Sequence, residues 1–156
     1  MFSFPNPVNE VSARLVATGV VAMASAAVVF DARWLLPLLF YGFVARVLTG
    51  PKLSPLGLLV TKQLTPRLKF KPKLVAGPPK RFAQAMGVAF SGTALVLAVT
   101  GHWFGAQVAL GLLIVAASLE AFVGLCLGCK TFALLMRLGL IPESVCEECN
   151  KVSLVR

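Results

Sequence analysis

Four apolar runs, each near the length of a membrane crossing, constrain this chain more than anything else in it. They fall at about 13–30, 34–49, 82–100 and 106–126. A helix rises about 1.5 Å per residue, so roughly 20 apolar residues match a hydrocarbon core of about 30 Å. Inside lipid the backbone has no water to bond, so each run must satisfy its own N–H and C=O groups as a helix. The composition agrees: 58% of the 156 residues are hydrophobic and 13% are charged, against about 25% charged in soluble domains. The expected fold is all-α: an integral membrane bundle of four transmembrane helices in two hairpins, forming a single polytopic domain over 1–156. Residues 51–80 are the long linker between the hairpins, and 126–156 are a cysteine-rich tail.

The formal net charge is +9, yet the basic residues do not form a nucleic-acid face. They crowd into the linker as Lys52, Lys62, Arg67, Lys69, Lys71, Lys73 and Lys80. Of the fifteen Lys and Arg, only Arg33 falls in either short turn on the opposite side. Basic residues in short loops favour the cytoplasm. Both termini, the linker and the tail are therefore expected in the cytoplasm, with the chain in the inner (plasma) membrane. Trp34 and Trp103 then sit at the outer interface, where aromatic side chains gather. His102 stands beside them as a solvated interfacial residue. Residues 1–9 contain Pro5 and Pro7 and lack the basic start and cleavage site of a signal peptide, so the first run is expected to stay as an anchor.

Several local signals place the elements. Asn9 or Ser12 can cap the first helix, with Glu10 favourable in its first turn. The pairs Ala13/Ala17 and Ala22/Ala26, and the series Ala83, Gly87, Ser91, offer small faces for close helix contact. Gly50-Pro51 ends the second span. Ser54-Pro55 starts a helix over 55–64 with Leu56, Leu59, Val60 and Leu64 on one face. That helix lies on the lipid headgroups or packs on the protein's own base. A faint duplication is visible: Arg14 opens a helix that reaches Trp34 across a turn, and Arg81 opens one that reaches Trp103.

Chemistry concentrates in four cysteines. They read Cys126-Leu-Gly-Cys129, sixteen residues, then Cys146-Glu-Glu-Cys149. In a reducing cytoplasm a structural disulfide is not expected. The spacing suits a four-cysteine zinc site made of two hooks around a tetrahedral ion. Each pair alone is equally the dithiol pattern of a redox or sulfur-relay site. Cys126 is read as the end of the fourth span, where the helix dipole opposes a thiolate. Cys129, at the start of the next helix, is then the better nucleophile.

Glu120 lies in the fourth span, and an intramembrane carboxylate is costly enough to mark a candidate site. Arg46 and Arg14 are its expected partners, either in an ion pair that fixes packing or in a proton-linked role. Three functions follow: a zinc-stapled docking module, a dithiol carrier serving a soluble partner or a membrane complex, and a small transporter using Glu120. No Ser/His/Asp set, phosphate loop or paired catalytic carboxylates is visible, so hydrolase or kinase chemistry is not expected.

The stretches Ser54-Pro-Leu-Gly-Leu, Gly77-Pro-Pro-Lys-Arg-Phe-Ala-Gln and Leu119-Glu-Ala-Phe-Val-Gly-Leu-Cys-Leu-Gly-Cys are similar to an uncharacterised bacterial family of four-helix membrane proteins, domain of unknown function 4395. The resemblance implies thiol or sulfur work through association with thioredoxin-like and rhodanese-type (sulfurtransferase) proteins. Its cysteine motif matches Cys126 and Cys129. Cys146 and Cys149 lie outside the family pattern.

Overall fold

A computed structural model describes residues 8–69, 71 and 74–142. Helix α1 (Glu10–Val29) starts where the Asn9 side chain accepts the Val11 N–H at 3.0 Å. This satisfies one of the donors that every helix start leaves unpaired. A short turn with Asp31 at φ 53° leads into α2 (Leu35–Thr49). Gly50 ends α2 at φ 67°, a conformation that suits a residue without Cβ. After a 3-10 turn over Gly50–Lys52, Ser54 caps α3 (Pro55–Leu59), its Oγ accepting the Gly57 N–H at 3.2 Å. A π-helical turn (Val60–Leu64) joins α3 to α4 (Thr65–Arg67).

The second half repeats the plan. Helix α5 (Gly77–Val99) opens on two prolines, whose missing N–H groups cost nothing in a first turn. Helix α6 (Trp103–Ser118) continues as a π-helical turn (Leu119–Val123) and stops at Gly124, in the left-handed region at φ 76°. Helix α7 (Leu127–Arg137) follows. Two short strands, β1 (Val8–Asn9) and β2 (Leu74–Val75), pair antiparallel with Val8 opposite Val75.

Four helical stretches are long and apolar enough to cross a membrane: Glu10–Val29, Leu35–Arg67, Gly77–Val99 and Trp103–Val123. This is the expected multi-pass helical bundle. Helix α2 packs along α5, α5 along α6, α6 along α1, and α1 against α2. The core joins Val20, Ala24 and Ala27 of α1, Leu36, Leu39 and Phe43 of α2, Ala94 of α5, and Ala106, Leu110 and Leu113 of α6. Between helices in lipid, attraction comes from such close van der Waals packing rather than from removal of water. Both short turns lie at one end of the bundle, where the Arg33 guanidinium stacks on Trp103 at 4.7 Å.

The expected small faces are used unevenly. In α5 they form real contacts: a Cβ on Gly87 would stand 2.2 Å from the Phe43 ring, and Ser91 is buried. In α1 the expected Ala22/Ala26 pair is not the contact face, because Ala22 is exposed. Ala17, Val20, Ala24 and Ala27 are buried instead. The four leucine-type positions of 55–64 also split. Leu56 and Val60 turn inward, with Leu56 against Gly19, while Leu59 and Leu64 stay 48% and 40% exposed. The π turn adds a residue to its loop and so rotates the face expected from a regular helix.

Candidate functional site

The dithiol sits at the start of α7. The fourth span does not run to residue 126, as expected from sequence, but ends at Val123. Gly124 reverses the chain, and Cys126 becomes the N-cap of α7 in an extended conformation. Its Sγ accepts the backbone N–H of Cys129 at 3.2 Å. This corrects the expected dipole: the positive end of a helix, not the negative end, faces the Cys126 sulfur.

The electrostatics reverse the expected order of the two thiols. The hydrogen bond from the Cys129 thiol holds Cys126 below the ordinary thiol range, aided by the Lys80 charge and the Cys129 N–H. Burial and the Glu120 charge oppose that shift without overcoming it. The same thiol–thiol bond, followed by burial, pushes Cys129 up. Both the N-cap position and these directions favour an anion at Cys126 over one at Cys129. The nucleophile expected from sequence was Cys129.

Helix α7 is held in place by contact with α5. A Cβ at Gly128 would stand 2.5 Å from Cα and Cβ of Ala83. The rings of Phe82 and Phe132 meet at 5.7 Å between centroids. Only glycine allows the first turn of α7 to lie this close to α5.

Beside the dithiol, Lys80 Nζ lies 2.5 Å from Glu120 Oε1, with side chains 8% and 13% exposed. Lys80 makes the direct ion pair with Glu120. Of the two expected partners, Arg46 lies near enough to feel the Glu120 charge without a salt bridge, and Arg14 is bound elsewhere. The sequence obscured this because the third span was read from residue 82, which left Lys80 in the linker. The helix begins at Gly77 instead. Arg14 donates from Nε to Ala121 O and from Nη2 to Phe122 O, both at 3.1 Å. It thus satisfies the carbonyls that the end of the fourth span leaves open. Arg46 donates from Nε to Gln84 Oε1 at 2.9 Å and from Nη1 to Ser54 Oγ at 3.2 Å. The sequence marked Ser54 only as a helix start and Gln84 only within a family-like stretch, so neither was expected to meet Arg46.

Glu120, Gln84 and Cys126 edge one narrow cavity of about 60 Å³ inside the bundle. A water needs about 10–15 Å³ on such a measure, so the space suits a few waters and not a metabolite. Among the described residues, no group of three or more His, Cys, Asp or Glu side chains could hold a metal ion. The other two expected zinc ligands, Cys146 and Cys149, lie outside the described residues.

Fold and site together define a multi-pass helical membrane protein with a dithiol capping a short helix at the end of its last span. The chain belongs to the family described as Domain of unknown function (DUF4395), whose model matches residues 8–137. That match contains Cys126 and Cys129 and stops short of Cys146 and Cys149. No curated protein and no solved structure matches the chain.

Proposed function

We propose that this chain is a membrane-bound dithiol carrier, with Cys126 as the attacking sulfur and Cys129 as the resolving one. The observation that supports it is the N-cap placement of Cys126, whose sulfur accepts from Cys129 above the buried Lys80–Glu120 pair. Low thiol pKa at a helix start beside a cation is what makes a cysteine reactive. The Cys126 thiolate attacks one sulfur of a partner disulfide, forming a mixed disulfide and releasing the partner's other sulfur as a thiolate. Cys129 then gives its proton to that thiolate and attacks the Cys126 sulfur. Its attack breaks the mixed disulfide, and the partner sulfur that leaves is protonated from solvent. One protein dithiol and one partner disulfide become one protein disulfide and one partner dithiol, a balanced two-electron exchange.

The partner fits a soluble thioredoxin-like or rhodanese-type protein meeting the site at the membrane surface. The bias of Lys and Arg to the linker side favours a cytoplasmic site in an inner (plasma) membrane, with both termini inside. A zinc staple needs Cys146 and Cys149 as well, and nothing in the described residues favours it. The transporter reading is weaker, because Lys80 already engages Glu120.

A trapping experiment tests the carrier. The full chain carrying Cys129→Ser, purified in detergent, is mixed with a disulfide-form thioredoxin. A mixed disulfide mapped to Cys126 is the expected result. Loss of the adduct in a Cys126→Ser control completes it. One tightly held zinc per wild-type chain, with all four thiols blocked from alkylation, overturns it.

A further inference from the structure

Helix α7 uses its sides differently. At 3.6 residues per turn, each residue turns the helix by about 100°. Gly128 and Phe132 are buried on the side that meets Ala83 and Phe82 of α5. Leu127, Leu134 and the C-cap residue Leu138 share a second side and stand 37%, 54% and 65% exposed. Lys130 and Arg137, also exposed, line one flank of those leucines. Cys129 lies about 200° round from Leu127, on the far side of the helix from the leucine face.

The leucine face continues a surface that already meets lipid. Phe122 and Val123, at the end of the fourth span, are exposed. Leu127 follows four residues after Val123, so the face begins where the lipid-facing surface of the span stops. The charges point to the same occupant. From Ala121 to Pro142 the only charged residues are Lys130 and Arg137, with no Asp or Glu among them. An apolar face edged by Lys and Arg is the pattern of a helix lying in the headgroup layer, its apolar side sunk about 5–10 Å toward the acyl chains. Long basic side chains lay their stems along such a face and carry their charge out to the phosphates.

We propose that α7 is an interfacial helix that docks on anionic lipid. Leu127, Leu134 and Leu138 enter the acyl boundary beside the fourth span, and Lys130 and Arg137 reach lipid phosphates. The bilayer thereby holds a second side of a helix that already packs on α5, and so fixes which way the dithiol faces. Cys129 is turned from the lipid, toward the side from which a soluble protein approaches. The lipid contact does not depend on thiol exchange, so failure of one leaves the other standing.

The full chain carrying Trp34→Phe, Trp103→Phe and Leu134→Trp has a single tryptophan, on the leucine face. It is reconstituted in mixtures of phosphatidylcholine and phosphatidylglycerol, with one or the other brominated on its acyl chains. Fluorescence quenching by brominated lipid is expected, with phosphatidylglycerol preferred by about fivefold for each basic side chain at the anionic surface. Adding Lys130→Gln and Arg137→Gln should remove the preference and keep the quenching. Leu138→Trp in place of Leu134→Trp decides the matter if the first reporter does not fold. Equal quenching by the two lipids, or a preference that survives loss of both charges, overturns the proposal. So does a tryptophan quenched by aqueous iodide and not by lipid, which marks a face open to a soluble partner. A tryptophan shielded from both quenchers marks protein contact, within the chain or with a second copy, and overturns it as well.

Discussion

Arg14 and Arg81 each cap the outgoing helix of the opposite hairpin. Arg14, in the first helix of the first hairpin, donates to Ala121 O and Phe122 O at the end of the second hairpin. Arg81, in the first helix of the second hairpin, donates from Nε to Val47 O at 3.0 Å, near the end of α2. The faint sequence duplication that pairs these arginines thus has a structural counterpart. In each case a cation meets the negative end of a helix, where backbone carbonyls lack partners.

Arg14 makes two such bonds from a half-buried position, and Arg81 makes one from an exposed position. Arg14→Met should therefore destabilise the bundle by about 1.5–3 kcal/mol, the range for hydrogen bonds to charged groups. Arg81→Met should cost clearly less. Equilibrium unfolding of both variants in the same detergent compares them.

The Lys80–Glu120 pair should behave as a buried ion pair. Glu120→Gln or Lys80→Met alone leaves one charge in an apolar setting and should cost about 3–5 kcal/mol. The double variant Lys80→Met/Glu120→Leu should recover most of that loss. Thermal unfolding of the three variants gives the comparison. If the double variant is as unstable as the sum of the singles, the two side chains do not act as a pair.

The thiols should separate in alkylation. Iodoacetamide reacts with the thiolate, so the rate at Cys126 should rise with pH through a midpoint below the usual thiol value of about 8.5. The hydrogen bond from Cys129 favours the anion, which lowers the midpoint rather than raising it. Cys129→Ala removes that thiol donor and should move the Cys126 midpoint up. Lys80→Gln should move it in the same direction by removing the nearby cation. Rates are read by mass spectrometry of the labelled peptide across pH 5–10, a range of about two to three units either side of the midpoint.

Gly128 should tolerate no side chain. Its Cβ position lies 2.5 Å from Ala83 Cα and Cβ, where neither backbone nor a methyl group can yield by rotation. Gly128→Ala should push α7 off α5 and cost about 1–3 kcal/mol, the usual range for overpacking. The shift should also expose Cys126 and weaken its N-cap environment. Ala83→Gly in the same chain should restore part of both properties, seen as recovered stability and a lowered alkylation midpoint.

Orientation can be read with single reporter cysteines in a chain whose own four are replaced. Labels placed at Lys62 in the linker and at His102 in the second turn should respond oppositely to a reagent that cannot cross the membrane. Lys62 should be shielded in intact cells and His102 modified. The reverse pattern would place the dithiol outside the cytoplasm and remove a cytoplasmic partner from the carrier reading.

The sequence by itself determined that the chain makes four apolar helices in two hairpins, because a backbone in lipid has no other way to satisfy its polar groups. It also marked Cys126 and Cys129 by their paired spacing, and Glu120, Arg46 and Arg14 because charged side chains are rare and costly among apolar spans. Tertiary structure alone decided their roles. Gly124 at φ 76° turned the chain so that Cys126 caps a new helix instead of ending the old one. The start of α5 at Gly77 brought Lys80 within the bundle, ahead of either arginine, as the partner of Glu120. Apolar periodicity is blind to both events. It records which residues avoid water, whereas the sign of a dipole at a sulfur and the partner of a carboxylate depend on where the chain bends and which helices then touch.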